Sequence, residues 1–178
     1  LGLSFAADGF GVILAVLTGA IWLITTIFSK EYMAAERNRN RYYFFVFLTL
    51  GATMGIFLSA DLFTTFIFFE IMSFTSFVLV MHDEEDFTVR SAKTYLAVAV
   101  IGGLVTLMGL FMMYQKAGTL NMAELTAFMQ SRENPAEFYA IGVLILFGFA
   151  AKAGLFPLHI WLPKAHPVAP APASALLS

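Results

Sequence analysis

The chain of 178 residues has no cysteine, and only 12% of its residues are charged, against about 25% in an average soluble domain. Without cysteine it can hold no disulfide, thiolate metal site or iron–sulfur cluster of its own. So little charge, set against 60% hydrophobic residues, excludes a disordered chain and argues against an ordinary soluble domain. A net charge of −2 and the lack of any Lys/Arg stripe exclude a basic nucleic-acid binder. No basic region followed by a short apolar stretch and a cleavage site opens the sequence, so no signal peptide is read. What the chain does have is apolar bulk: 20 Phe, 6 Tyr and 2 Trp, and a mean hydropathy of +0.81.

A hydrocarbon core about 30 Å thick takes about 20 apolar residues in helix. Five stretches have that length: 9–29, 42–60, 62–81, 94–115 and 138–162. Only the third and fifth carry a charge inside, Glu70 and Lys152. Helices follow, because only helices or closed barrels satisfy the backbone in lipid, and runs such as Phe44–Leu50 lack the polar–apolar alternation of a barrel strand. The fold expected is all-α: a polytopic transmembrane bundle of about five spanning helices, read as a single domain over 1–178. Opening on Leu1 and stopping in the apolar run Ser174–Ser178, the chain reads as a piece of something longer.

Between the spans, 30–41 is basic and 82–93 opens acidic and ends with Arg90 and Lys93. In 116–137, Asn121 is placed to cap a short surface helix over 121–130, with Met122, Leu125 and Met129 on one face. Loops 30–41 and 82–93 share one side and hold Lys30, Arg37, Arg39, Arg41, Arg90 and Lys93; the other side holds Lys116 and Arg132. The positive-inside rule puts the first side in the cytoplasm.

Glu70 and Lys152 each lie deep in a span. An ionised group at such depth costs on the order of 2.5–3.5 kcal/mol, so both are expected to face protein and find partners. One reading is a structural ion pair; the other is a proton or ion path, the usual role of intramembrane ionisable residues. At about 4 Å and an effective dielectric near 20, a carboxylate favours the charged lysine by about 4 kcal/mol. Changing their separation therefore changes how readily the lysine gives up its proton.

The fifth span is expected to break near Gly154 and Pro157. Pro157 has no N–H, so the Ala153 carbonyl loses its helical partner, and Gly154 adds flexibility. Non-helical backbone at membrane depth is tolerated where it is buried in protein or lines a water-filled cavity, and transporters use broken helices at ion sites; a simple proline kink is the alternative. On an unbroken helix His159 would share a face with Lys152 and relay protons, or else pack at the helix end. Lys93 is either a snorkelling anchor or a proton entry point. His82 and His166 are read as solvated. The histidine spacings match no metal site. Residues 164–173 read as a stiff extended turn before a helix opening at Pro172 or Ser174, with Ser174 as its cap. Gly102, Gly103 and Gly109 are expected to permit close helix packing.

The run Lys152-Ala-Gly-Leu-Phe-Pro-Leu-His-Ile-Trp-Leu-Pro-Lys-Ala-His-Pro-Val-Ala-Pro-Ala-Pro-Ala-Ser-Ala-Leu-Leu-Ser178 resembles the signature of the antiporter-like membrane subunits. These are shared by respiratory complex I (NADH:quinone oxidoreductase), the Mrp sodium/proton antiporters and membrane-bound hydrogenases. The stretch Asp61-Leu-Phe-Thr-Thr-Phe-Ile-Phe-Phe-Glu70-Ile-Met-Ser-Phe is similar to that family's glutamate helix. The resemblance implies a fold of about fourteen helices with inverted repeats, of which this chain would supply roughly the third to seventh and the start of the eighth. It implies that Glu70 and Lys152 form the proton-driving pair, with Lys93 a possible relay. It also implies other membrane subunits as partners, an inner (plasma) membrane of a bacterium or archaeon, and translocation without a redox cofactor in this chain. The ending, with Ala165-His-Pro-Val-Ala-Pro, resembles the hydrogenase-linked branch. A structural scaffold and a stand-alone small-solute transporter are the alternatives.

Overall fold

The computed structural model describes residues 2–131 and 136–178; Arg132, counted above, lies outside them. The described residues form helices α1 (Gly9–Tyr32), α2 (Arg39–Phe57), α3 (Leu62–Val80), α4 (Asp86–Ala117), α5 (Met122–Gln130) and α6 (Ala136–Ala153). A short 3-10 helix (Leu158–Trp161), α7 (Leu162–Ala165) and α8 (Ala171–Leu177) follow. The all-helical bundle is as expected. Helices α1, α3 and α4 are each long and apolar enough to cross a membrane, and so is the segment 136–165. Helix α2, expected as the second of five spans, falls short on composition because it opens with Arg39, Asn40 and Arg41. It nonetheless packs along the length of α3, where Gly55 lies against the Phe68 ring.

Side-chain caps open α1, α3 and α5. Asp8 accepts from the Gly11 N–H at 2.6 Å, and Asn121 accepts from the N–H groups of Ala123 and Glu124 at 3.0 and 3.2 Å, the side-chain cap that each first turn lacks. At α3, Asp61 accepts from the Thr64 N–H at 2.8 Å, from the Thr64 hydroxyl at 2.6 Å and from the Ser4 hydroxyl. Burial alone would raise the Asp61 pKa, but the hydrogen bonds from Ser4, Thr64 and the Phe63 backbone together outweigh it and hold the carboxyl below its usual range. Short antiparallel bridges, Phe5 with Ser59 and Asp61 with Asn121, gather the N-terminal segment, the 58–61 turn and the 118–121 loop at one end. At the opposite end, Arg41 pairs with Glu84 and donates to the His82 carbonyl oxygen at 2.6 Å. The two groups of loops thus lie at opposite ends, as the charge count assumed.

Three expectations are corrected. Helix α4 begins at Asp86, not Thr94, so Arg90 and Lys93 sit on a helix rather than in a loop. His82 is 4% exposed instead of solvated, because the 81–85 turn folds under Arg41 and against the Tyr42 ring. Helix α8 opens at Ala171, and Ser174 does not cap it; the Ser174 hydroxyl bonds the ring of the half-buried His166, which stacks on Trp161.

Helices α4 and α6 approach closely because glycines face each other. A Cβ at Gly148 would lie 1.7 Å from the Thr106 Oγ1 and 2.4 Å from the Gly102 carbonyl oxygen. The break after α6 is sharper than a proline kink. Gly154 takes a left-handed φ of 67°, Leu155 N–H bonds the Ala150 carbonyl at 3.0 Å, and Gly154 N–H bonds that of Ala151 at 3.3 Å. That pair of bonds is the Schellman ending that glycine favours. The helix therefore stops at the glycine, and Pro157 lies beyond it.

Candidate functional site

Lys152 sits in the last turn of α6, two residues before Gly154. Its Nζ donates to the Tyr95 hydroxyl and lies 4.4 Å from the centroid of the Tyr95 ring. Tyr95, on α4, is 1% exposed; its hydroxyl donates in turn to the Ser73 carbonyl oxygen of α3 at 3.2 Å. The Trp161 ring meets Tyr95 edge-on with centroids 4.9 Å apart. The Trp161 indole N–H bonds the Ala151 carbonyl at 2.8 Å. Chain that has passed the break thus folds back and holds the last turn of α6 in place.

Glu70 lies on α3 one turn before Ser73, so the two share a face. Its Oε1 is buried and has no hydrogen-bond partner among the described residues. The carboxylate rests against the bare backbone of Gly103 on α4, where a Cβ would come within 2.4 Å of Oε1. An unsatisfied buried acceptor costs about 1–3 kcal/mol, and more when charged. Folds keep such groups chiefly at functional sites. Glu70 and Lys152 lie within electrostatic reach of one another. Among the described residues they form no ion pair within 4.0 Å; the ion pairs there are Arg41–Glu84 and Lys116–Glu137.

A cavity of about 420 Å³ reaches Lys152 between α1, α2, α3, α6 and α8. Its wall is mostly apolar, but Thr18, Thr49, Thr53 and Ser76 give it hydroxyls. At about 30 Å³ per molecule in the liquid, that space takes on the order of ten waters. Thr49 and Thr75 join α2 to α3 through a hydroxyl–hydroxyl bond of 2.8 Å.

The other residues singled out are not gathered here. Lys93 is exposed on α4. His159 is exposed beyond the break, its ring against Phe156 with centroids 5.6 Å apart; the Gly154 turn removes the face an unbroken helix would have shared. Tyr95, Ser73 and Trp161 were missed. A signal existed for the α3 part: Glu70, Ser73 and Ser76 recur every three residues in an apolar span. For Tyr95 the signal was a hydroxyl inside a span, which needs a partner when buried.

The profile of the NADH:quinone oxidoreductase/Mrp antiporter transmembrane family matches residues 59–178. A Na(+)/H(+) antiporter subunit of Alkalihalophilus pseudofirmus is 32% identical over 175 residues, 98% of this chain and 36% of that protein. The antiporter subunit of the same name in Bacillus subtilis is 33% identical over the same shares. Among solved structures, an archaeal respiratory membrane complex, the membrane-bound sulfane sulfur reductase, superposes with a TM-score of 0.88 at 26% identity, over 97% of this chain and 35% of its counterpart. The Mrp complex of a Dietzia species does so at 0.85 and 27%, over 99% of this chain and 33% of its counterpart. The chain thus spans about a third of the length of the relatives it matches. Both curated relatives carry antiporter names, whereas the chain's ending pointed to the hydrogenase-linked branch.

Proposed function

The chain belongs to the NADH:quinone oxidoreductase/Mrp antiporter transmembrane family, and on that premise we propose that it is the part of an ion-translocating membrane subunit in which Glu70 and Lys152 move the proton. The observation that carries this reading is the buried, unpartnered Oε1 of Glu70 within electrostatic reach of Lys152, beside a broken helix. A structural ion pair would be closed; this one stands open. Energy from partner subunits reaches the site as a change in the Glu70–Lys152 separation, and the lysine gives up or regains its proton accordingly. The exchanged ion is a proton alone or sodium against protons. No step of this scheme calls for a redox group in this chain.

The names of the relatives support other membrane subunits of an Mrp-type or respiratory complex as partners, and a bacterial or archaeal plasma membrane as the location. The charge bias supports placing the end that carries 30–41 and 82–93 on the cytoplasmic side. The test is Glu70→Gln combined with Lys152→Met in the full-length subunit within its complex. Proton-coupled transport is expected to vanish while the complex still assembles. Intact transport with weakened assembly would identify a scaffold instead and overturn the proposal.

A further inference from the structure

We propose that Tyr95 is a positioning residue that gives the Lys152 ammonium a second berth, away from Glu70. The inference rests on the reading of Lys152 as the proton carrier. The berth is built from three elements. Helix α4 supplies the Tyr95 hydroxyl and the ring face beneath Nζ, at 4.4 Å from its centroid. Helix α3 supplies the Ser73 carbonyl, which accepts from the same hydroxyl at 3.2 Å. The segment after the break supplies Trp161, which fixes the Tyr95 ring edge-on and ties its own indole to Ala151, the residue before Lys152. A phenol oxygen that donates to a carbonyl keeps a lone pair for an ammonium, and the ring adds cation–π attraction. Nothing in this berth carries a formal charge.

Glu70 marks the other berth. Its carboxylate rests at Gly103, eight residues beyond Tyr95 on α4, or about 12 Å further along the helix axis. Lys152 stands level with the region between, because its neighbour Ala151 meets Gly102 across the α4–α6 contact. A lysine carries its charge on a flexible four-carbon stem, so one ammonium serves both places by rotation about its side-chain bonds. The structure shows it on Tyr95, with the Glu70 Oε1 left unpartnered. Docked on Tyr95, the lysine has only neutral partners; docked on Glu70, it has a charged one. Tyr95 thereby sets how long the pair stays open.

The test is Tyr95→Phe in the full-length subunit within its complex, which removes the hydroxyl and keeps the ring. A cryo-EM structure is expected to show Nζ moved to within ion-pair distance of Glu70. Transport is expected to fall about ten- to a hundredfold, the scale of one hydrogen bond to a charged group, in its maximal rate and not in the KM for the ion. A second series replaces Tyr95 by fluorinated tyrosines, which keep the shape and weaken the phenol oxygen as an acceptor. Rates are expected to step toward that of Tyr95→Phe with each fluorine, and this series decides if the Phe variant fails to assemble. A flat series, or a Phe variant with unchanged rate and Nζ in place, overturns the berth. If those results occur while Glu70→Gln with Lys152→Met abolishes transport, only the berth falls. If that double variant still transports, the proton-carrier reading falls first.

Discussion

Gly103→Ala perturbs Glu70 without changing any charge. The added methyl would stand 2.4 Å from Oε1, 2.8 Å from Cδ and 2.9 Å from Oε2 of Glu70, where ordinary contact begins near 3.4 Å. The carboxylate must therefore retreat by about 1 Å, and as the end of a flexible side chain it can. Misplacing a reacting group by about 1 Å costs on the order of a hundredfold in rate. The stability cost is small by comparison. Replacing a helical glycine by alanine gains about 1 kcal/mol in propensity, against about 1–3 kcal/mol for overpacking. Protein abundance and complex assembly should therefore stay near normal while ion exchange in everted membrane vesicles falls by one to two orders of magnitude, on the same scale. Gly51→Ala and Gly142→Ala are matched controls, since a Cβ at either site meets no neighbouring atom within 4 Å among the described residues; both should exchange at the wild-type rate. If Gly103→Ala exchanges as fast as the controls, the position of the Glu70 carboxylate does not matter and the reasoning fails.

Gly148→Ala drives a methyl into the Thr106 hydroxyl and the Gly102 carbonyl oxygen, so α4 and α6 must separate at a cost of about 1–3 kcal/mol. A lower thermal midpoint in detergent is expected, and Thr106→Ala should restore only part of it because the Gly102 backbone remains. Asp61→Ala removes the α3 cap together with the acceptor for Ser4, for a loss of about 1–2 kcal/mol; residues 2–8 should become sensitive to protease, and unchanged protection would count against the cap. His82 carries a pH dependence: burial first, then the Arg41 charge, hold its imidazole below the usual histidine range, with Asp83, Glu36 and the Arg37 backbone opposing. The opened form binds a proton near the ordinary pKa of about 6.5 while the closed form does not, so closure is at full strength above that pH and weakens as pH falls through it. Protection from hydrogen exchange at 33–38 and 81–85, corrected for the intrinsic slowing of exchange with falling pH, should drop from about pH 8 to about pH 5, and His82→Gln should flatten that response.

Glu70 and Lys152 stand out in the sequence as candidates because a lone charge in an apolar span admits few explanations. The break was legible too, at Gly154 and Pro157, though not which of them acts first. The left-handed Gly154 ends α6 before Pro157 is reached, and a φ of 67° is not visible in a letter. Tyr95 was hidden because an aromatic in a span reads equally as lipid-facing or core; only the crossing of α3, α4 and the returning Trp161 gives its hydroxyl a purpose. His82 was misplaced for a related reason. Its neighbours in sequence are acidic and suggest water, whereas its neighbours in space are Arg41 and Tyr42, about forty residues away. The start of α4 was set too late because Arg90 and Lys93 look like loop residues, and a helix that outlasts the apolar core carries charges at its end without penalty.

The central claim is that Lys152 must release its proton. Lys152→Arg keeps the positive charge and gives it up at no accessible pH. In proteoliposomes of the intact complex, proton-coupled exchange by this variant is expected at background, with assembly unchanged. Exchange at the wild-type rate would contradict the account.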